Sequence, residues 1–226
     1  VVAENGKLRA IVEIETYLVE QRKARPSVAL AEGRSSKAAA TIAQILVAGH
    51  RVFIRDGHAG LSLRKVAGEA GIAVGNVNYY FESKRALIEA VLCEALADYI
   101  EAHIAHFEAD SQSPVEILLD VVAFYVSNAR TTHSLFFHMW GFAASDASAK
   151  ELIRKLYRPI GRFIYFLVRA ARPDASETRV REIVLQLFSL EEGVKLFIGM
   201  GPDDNAALAT AEIHMRDLAR RIVLSD

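Results

Sequence analysis

With a single cysteine, Cys93, among 226 residues, the chain has no internal disulfide framework. The plain reading of Cys93 is a buried helical thiol, with an intermolecular bridge or a reactive thiol as the redox alternatives. Proline and tryptophan are nearly absent, at 5 and 1 residues. No apolar run reaches the roughly 18 uninterrupted residues that a membrane-spanning helix needs. The opening Val1-Val2-Ala3-Glu4-Asn5-Gly6 has no apolar stretch followed by a small-residue cleavage site, so a cytoplasmic protein without a membrane partner is expected. No nucleophile is paired with a base, and no glycine loop is shaped to cradle phosphate. His103 and His106 have a spacing compatible with metal binding but no third ligand nearby. No enzymatic activity, cofactor or metal is expected; a helical enzyme with an unrecognised site is the remote alternative.

Hydrophobic residues make up 52% of the chain, and the net charge is −1. That charge is unevenly spread. Residues 36–92 hold seven Lys/Arg against four Asp/Glu, residues 1–35 carry a balance of +1, and residues 93–226 carry −5. A mildly basic module on an acidic body suits local phosphate binding with little nonspecific adhesion.

From Lys37 onward the apolar spacing is helical and nowhere alternates long enough for a strand, so the fold class is all-α. Breaks and caps predict helices near 38–56, 63–70, 73–80, 84–109, 114–129, 134–143, 148–170, 177–199 and 204–224. Ser113-Pro114-Val115-Glu116 and Asp174-Ala175-Ser176-Glu177 carry helix-start signals. Residues 1–35 form an extension with a helix near 7–22, whose face would be Leu8, Ile11, Val12, Leu18 and Val19. Its basic run, Arg22 to Pro26, reads either as an arm along a DNA backbone or as a solvated helix end. The expected organisation is an extension (1–35), a small head (36–92) and a larger body (93–226).

The segment Ser62 to Phe81 carries the strongest local signal. Ser62 is placed to cap a short helix, with Leu61 and Val66 as the flanking apolar pair. Gly71 stands where the chain must leave that helix sharply. Val66, Ala70, Ile72 and Val77 supply the contact between two helices joined by a tight turn, which is a helix-turn-helix. On the second helix Val77, Tyr80 and Phe81 share the anchoring face, whereas Gly75, Asn78 and Tyr79 lie opposite, flanked by Val74 and Asn76. Such a face suits a DNA major groove: Gly allows close approach, Asn can pair with an adenine edge, and Tyr79 reaches a phosphate. Arg64 and Lys65 follow Ser62, and Lys84 and Arg85 follow Ser83. Cations in a first helical turn oppose the helix dipole unless a phosphate docks there.

From Ile45 to Leu92 the chain resembles the DNA-binding domain of TetR-family transcriptional regulators. Ile45-Leu46, Ala48, Phe53, Gly57-His58 and Ser62 resemble that family's first helix and its exit. Val66-Ala67, Ala70-Gly71-Ile72, Gly75, Tyr80-Phe81, Ser83-Lys84 and Leu87 resemble its helix-turn-helix and the start of the next helix. Two positions depart: Ala73 stands where Ser usually caps the recognition helix, and Asn78 replaces the usual Tyr. The resemblance implies a repressor that binds a near-palindromic operator as a homodimer through the helices near 177–199 and 204–224, and that a small apolar or amphipathic effector releases. A ligand-independent regulator or activator is the alternative.

Beyond Leu92 only the residues speak. The helix near 177–199 is apolar on nearly every side and must be covered on both faces. Leu135 to Phe142 is the densest aromatic stretch. A cavity lined by Tyr125, Phe136, His138, Met139, Trp140, Tyr157, Phe188 and Glu191 is one reading, and an ordinary aromatic core is the other. His133 and Glu192 are further polar candidates.

Overall fold

The computed structural model describes the backbone of residues 2–108, 113–201 and 205–225, and the side chains of 12–98, 101, 113–201 and 205–225. Among these residues the regular structure is helix alone: α1 (Val2–Lys23), α2 (Pro26–Ala29), α3 (Ser36–Gly60), α4 (Leu63–Ala70), α5 (Val74–Tyr80), α6 (Lys84–Glu108), α7 (Pro114–Ser145), α8 (Ala147–Ala171), α9 (Glu177–Met200), α10 (Ala206–Ala209) and α11 (Ala211–Leu224). None of them is long and apolar enough to cross a membrane. Two compact units result, one formed by Val19–Glu101 with Leu135–Tyr157, the other by Val1–Leu18, Ala102–Ser134 and Arg158–Asp226.

In the first unit α3 packs on α4, α4 on α5, and α2 on α3. The buried residues of α3 are spaced for one helical face: Ile42, Ile45, Leu46, Val52 and Phe53. Leu87, Ile88, Val91 and Leu92 of α6 are buried as well. A Cβ on Gly49 would sit 2.5 Å from Val91 Cγ2, so the missing side chain lets α3 and α6 approach closely. Gly57 (φ 65°) interrupts the helical dihedrals near the end of α3, and the His138 ring packs where its side chain would stand.

In the second unit α9 packs on α11, and Val126, Val194 and Ala211 form a buried cluster with Ile198 and Met215 packed against it. Ion pairs fasten α11 to α7. Arg216 binds Glu116 and Asp120, Arg220 binds Glu116, and Arg130 binds Glu212. Arg172 Nη1 donates to the Val223 carbonyl at 2.8 Å, tying down the end of α11.

Three expectations are corrected. The predicted helices near 114–129 and 134–143 are one helix, α7. The polar stretch expected to break it bonds back onto the helix: the Thr131 and Thr132 hydroxyls both donate to the Asn128 carbonyl, and His133 Nδ1 lies 3.0 Å from the Ala129 carbonyl oxygen. The predicted 204–224 helix is divided at Thr210, whose φ/ψ of −118°/23° is not helical. In α1 the buried face is Ile14, Tyr17 and Leu18, while Val12 and Val19 are about half exposed. Tyr17 turns that face inward by meeting Phe166 edge-on, with ring centroids 6.1 Å apart. Leu8 and Ile11 lie outside the described side chains.

Gly71 ends α4 in the left-handed region, at φ 67° and ψ 30°. No atom lies within 4 Å of a Cβ built there, so backbone strain is the whole cost of adding one. Gly71→Ala should lower the unfolding free energy by about 1 to 2 kcal/mol in denaturant titrations, and Gly71→Asn by less.

Candidate functional site

The site grows from the α4–α5 pair. Ser62 caps α4, its Oγ accepting from the Lys65 amide at 3.2 Å. At the other end the amides of Gly71 and Ile72 donate to the carbonyls of Gly68 and Ala67, closing the helix as a left-handed glycine permits. Gln44 of α3 donates from Nε2 to the Ala70 carbonyl at 2.6 Å, taking up another terminal acceptor. The sequence reading missed Gln44, because its partner lies 26 residues away and no local pattern announces it.

The recognition-type helix α5 has seven residues. Val77 and Phe81 are buried, Tyr80 is half-buried, and Val74, Gly75, Asn76, Asn78 and Tyr79 are exposed. Tyr79 is 73% exposed, which leaves its phenol free to project. Ala73 at the N-cap has extended backbone angles and no side-chain cap bond. The exposed face therefore offers amide groups, a phenol and a bare glycine.

The surrounding cations differ in what they already hold. Lys65 Nζ donates to Asp56 Oδ2 at 2.8 Å. That bond, reinforced by Arg55, holds the Asp56 carboxyl below its usual range. Lys84 Nζ donates to the Ala59 carbonyl at 3.1 Å. Arg85 pairs with Asp146 at 3.1 Å, and Asp146 is pushed down to about 2, first by the Ala149 amide and then by the Ser148 hydroxyl. Arg64 is exposed and has neither ion pair nor hydrogen bond among the described residues. In the basic run of the extension, read as either a DNA-backbone arm or a solvated helix end, Arg25 instead binds Glu94 and Asp98 of α6 and forms an intramolecular clamp.

The candidate effector residues fall into both units. In the first, Trp140 Nε1 donates to Tyr157 Oη at 3.0 Å, and the Phe136 and Trp140 rings are 6.3 Å apart. Met139 is fully buried, and His138 packs against Phe53 at 6.0 Å. In the second unit Tyr125 is buried, Phe188 is half-buried beside Gly161, and Glu191 is buried. Glu191 binds Lys195 Nζ at 2.6 Å, and Glu192 binds the same ammonium at 3.2 Å. Lys195, only 1% exposed, went unnoticed in the sequence because an i, i+4 Glu–Lys pair usually marks a solvated helix face. Burial pushes the Glu191 carboxyl up to about 7 against the opposing pull of Lys195. Burial likewise pushes the Cys93 thiol up to about 11, leaving little thiolate at neutral pH. His103 and His106 lie outside the described side chains, and no cluster of three metal-ligating residues occurs among the described ones.

Residues 45–91 match the family model described as bacterial regulatory proteins, tetR family. The HTH-type transcriptional regulator BetI of Burkholderia thailandensis is 30% identical over 173 residues, covering 75% of this chain and 88% of its own length. Two crystal structures share the fold. The transcriptional regulator FadR of Bacillus subtilis, in complex with stearoyl-CoA, has a TM-score of 0.67 and 18% identity, covering 78% of this chain and 96% of that one. A regulatory protein of the tetR family from Rhodococcus RHA1 has a TM-score of 0.61 and 20% identity, covering 84% and 98%.

Two measurements follow from this geometry. Ala73→Ser supplies the missing hydroxyl acceptor at the start of α5 and should raise stability by about 1 kcal/mol in thermal or denaturant unfolding. Because burial raises the Glu191 carboxyl above its unfolded value of about 4.5, its contribution to stability is complete below that value and is lost as pH rises through about 7. Melting temperatures of wild type and Glu191→Gln, followed from pH 4.5 to 8, should show a smaller decline in the variant.

Proposed function

Because the chain belongs to the TetR family of bacterial transcriptional regulators, we propose that it is a repressor which binds a near-palindromic operator as a homodimer and is released by a small effector. The head would be residues 36–92 and the body residues 93–226. One observation carries the DNA-binding part. The exposed face of α5, held outward by buried Val77 and Phe81, presents Gly75 and the side chains of Asn76, Asn78 and Tyr79, which have no hydrogen-bond partner among the described residues. Asn78 reads a base edge, Gly75 and Val74 allow the helix close to the groove floor, and Tyr79 takes a phosphate. Ser62, Arg64, Lys65 and Lys84 contribute at the backbone. Lys65 and Lys84 each have ammonium donors left after their internal bonds, and Arg64 has all of its own.

The homodimer reading is supported by the apolar surface of the second unit. Leu185, Leu196, Phe197 and Met200 on α9 and Ile213 on α11 are all exposed in the single chain. Beside them a groove of about 480 Å³ is lined by Leu190, Val194, Phe197, Leu208 and Met215, among others. A second copy would bury this surface about a two-fold axis and set two α5 helices one DNA turn, or a multiple of it, apart. The effector reading rests on the aromatic candidates and on Glu191 with Lys195, since ions are kept inside an apolar unit only at a desolvation cost. An amphipathic molecule that binds better to a body conformation with displaced α6 helices would shift the population away from the DNA-competent state.

Selection of bound sequences from random duplex DNA tests the whole reading. A near-palindromic consensus is expected, and failure to enrich any sequence overturns it. Asn78→Ala should lose about 1 to 3 kcal/mol of discrimination at one base pair of each half-site, with affinity for other substitutions in the site little changed.

A further inference from the structure

We propose that Arg34, in the extension that precedes the helix-turn-helix head, is an additional DNA-contacting residue that binds a backbone phosphate beside α5. The inference rests on the DNA-binding reading above.

Arg34 reaches the same exposed face from outside the motif. Its Cζ lies 5.7 Å from the centroid of Tyr79 and 5.4 Å from that of Tyr80. Both distances are within cation–π range, and the two rings stand edge to face, 5.0 Å apart. A guanidinium resting on aromatic faces keeps its N–H donors at its rim, which is the fork geometry that phosphate oxygens accept. Arg34 is exposed, and no carboxylate or hydrogen-bond acceptor holds its guanidinium among the described residues. Three other arginines of this unit are already held, Arg25 by Glu94, Arg55 by Asp56 and Glu69, and Arg85 by Asp146, whereas Arg64 shares the freedom of Arg34.

The backbone around Arg34 is fixed rather than trailing. Glu94 of α6 accepts from Arg25 Nε at 2.6 Å, from the Ser27 amide at 2.9 Å and from the Ser27 hydroxyl at 2.8 Å. Arg25 Nη2 also donates to Asp98 at 2.9 Å. The chain then turns at Gly33, in the left-handed region at φ 69°. The Arg34 amide donates to the Ala31 carbonyl at 3.0 Å, and Ser35 caps α3 through the Ala38 amide. A cation held at both ends of its segment loses little freedom on contacting phosphate. Because a phosphate carries no sequence information, Arg34 adds affinity and register to the interface and leaves base preference to α5.

The test is fluorescence anisotropy with full-length protein across a salt series, using the duplex recovered by selection and a 30-base-pair duplex of unrelated sequence. R34A should weaken binding to both duplexes by a similar factor, on the order of ten-fold, and reduce the slope of log K against log salt by about one per protomer. R34K should restore the slope while recovering only part of the affinity, because an ammonium keeps the charge and loses the stacked fork. An R34A slope equal to wild type, with or without loss of affinity, overturns the proposal, for Arg34 would then act only by packing on Tyr79. Wild type that binds neither duplex overturns the DNA-binding reading itself, an outcome distinct from R34A behaving as wild type.

Discussion

The head depends on burying one side of a helix too short to exist alone. A seven-residue segment cannot repay helix nucleation in water, and α5 starts on an alanine that caps nothing. Its stability comes instead from Val77 and Phe81, which are 0% and 3% exposed, and from the left-handed exit at Gly71 that aims the chain back across α4. The Gln44 bond to the Ala70 carbonyl secures that exit from the α3 side. The same constraint determines what remains outside: once Val77 and Phe81 face in, Gly75, Asn78 and Tyr79 must face out.

Electrostatics refines this picture by sorting the cations. Counted from sequence, four basic residues at two helix starts look equivalent. In the fold Lys65 shares Asp56 with Arg55, Lys84 caps the Ala59 carbonyl, and Arg85 is drawn to Asp146. Pairs as exposed as these are screened by water and contribute little, so a phosphate can compete for Lys65 at modest cost. Arg64 and Arg34 need no such exchange.

How much was legible in the sequence follows from the range of the interactions involved. Ser62, Gly71, Val77 and Phe81 act within twenty residues, where caps, turns and periodicity report directly on structure, and the head could be read almost residue by residue. The break expected near Thr131 failed because hydroxyls that signal a terminus can equally bond to a carbonyl of their own helix, and only the surrounding packing decides. Tyr17 displaced the simple aliphatic stripe expected of α1 because its partner, Phe166, lies far along the chain. The Arg25 clamp was hidden for the same reason, with Glu94 lying 69 residues away.

The body poses the opposite problem, since its informative residues are those that violate an ordinary rule. Glu191, Glu192 and Lys195 carry two acids and one base on successive turns of α9, and two of the three are almost wholly withdrawn from water. A buried pair of this kind seldom stabilises a fold relative to apolar residues of equal volume. Both acids share the one ammonium, and burial raises the Glu191 carboxyl to about 7 against the opposing pull of Lys195. The apolar side of the same helix, with Leu185, Leu196 and Phe197 exposed, is suited to a partner chain. Helix α9 thus carries a charge-bearing interior and an exposed apolar side on a single element, which is what the proposed homodimer and effector would require of it.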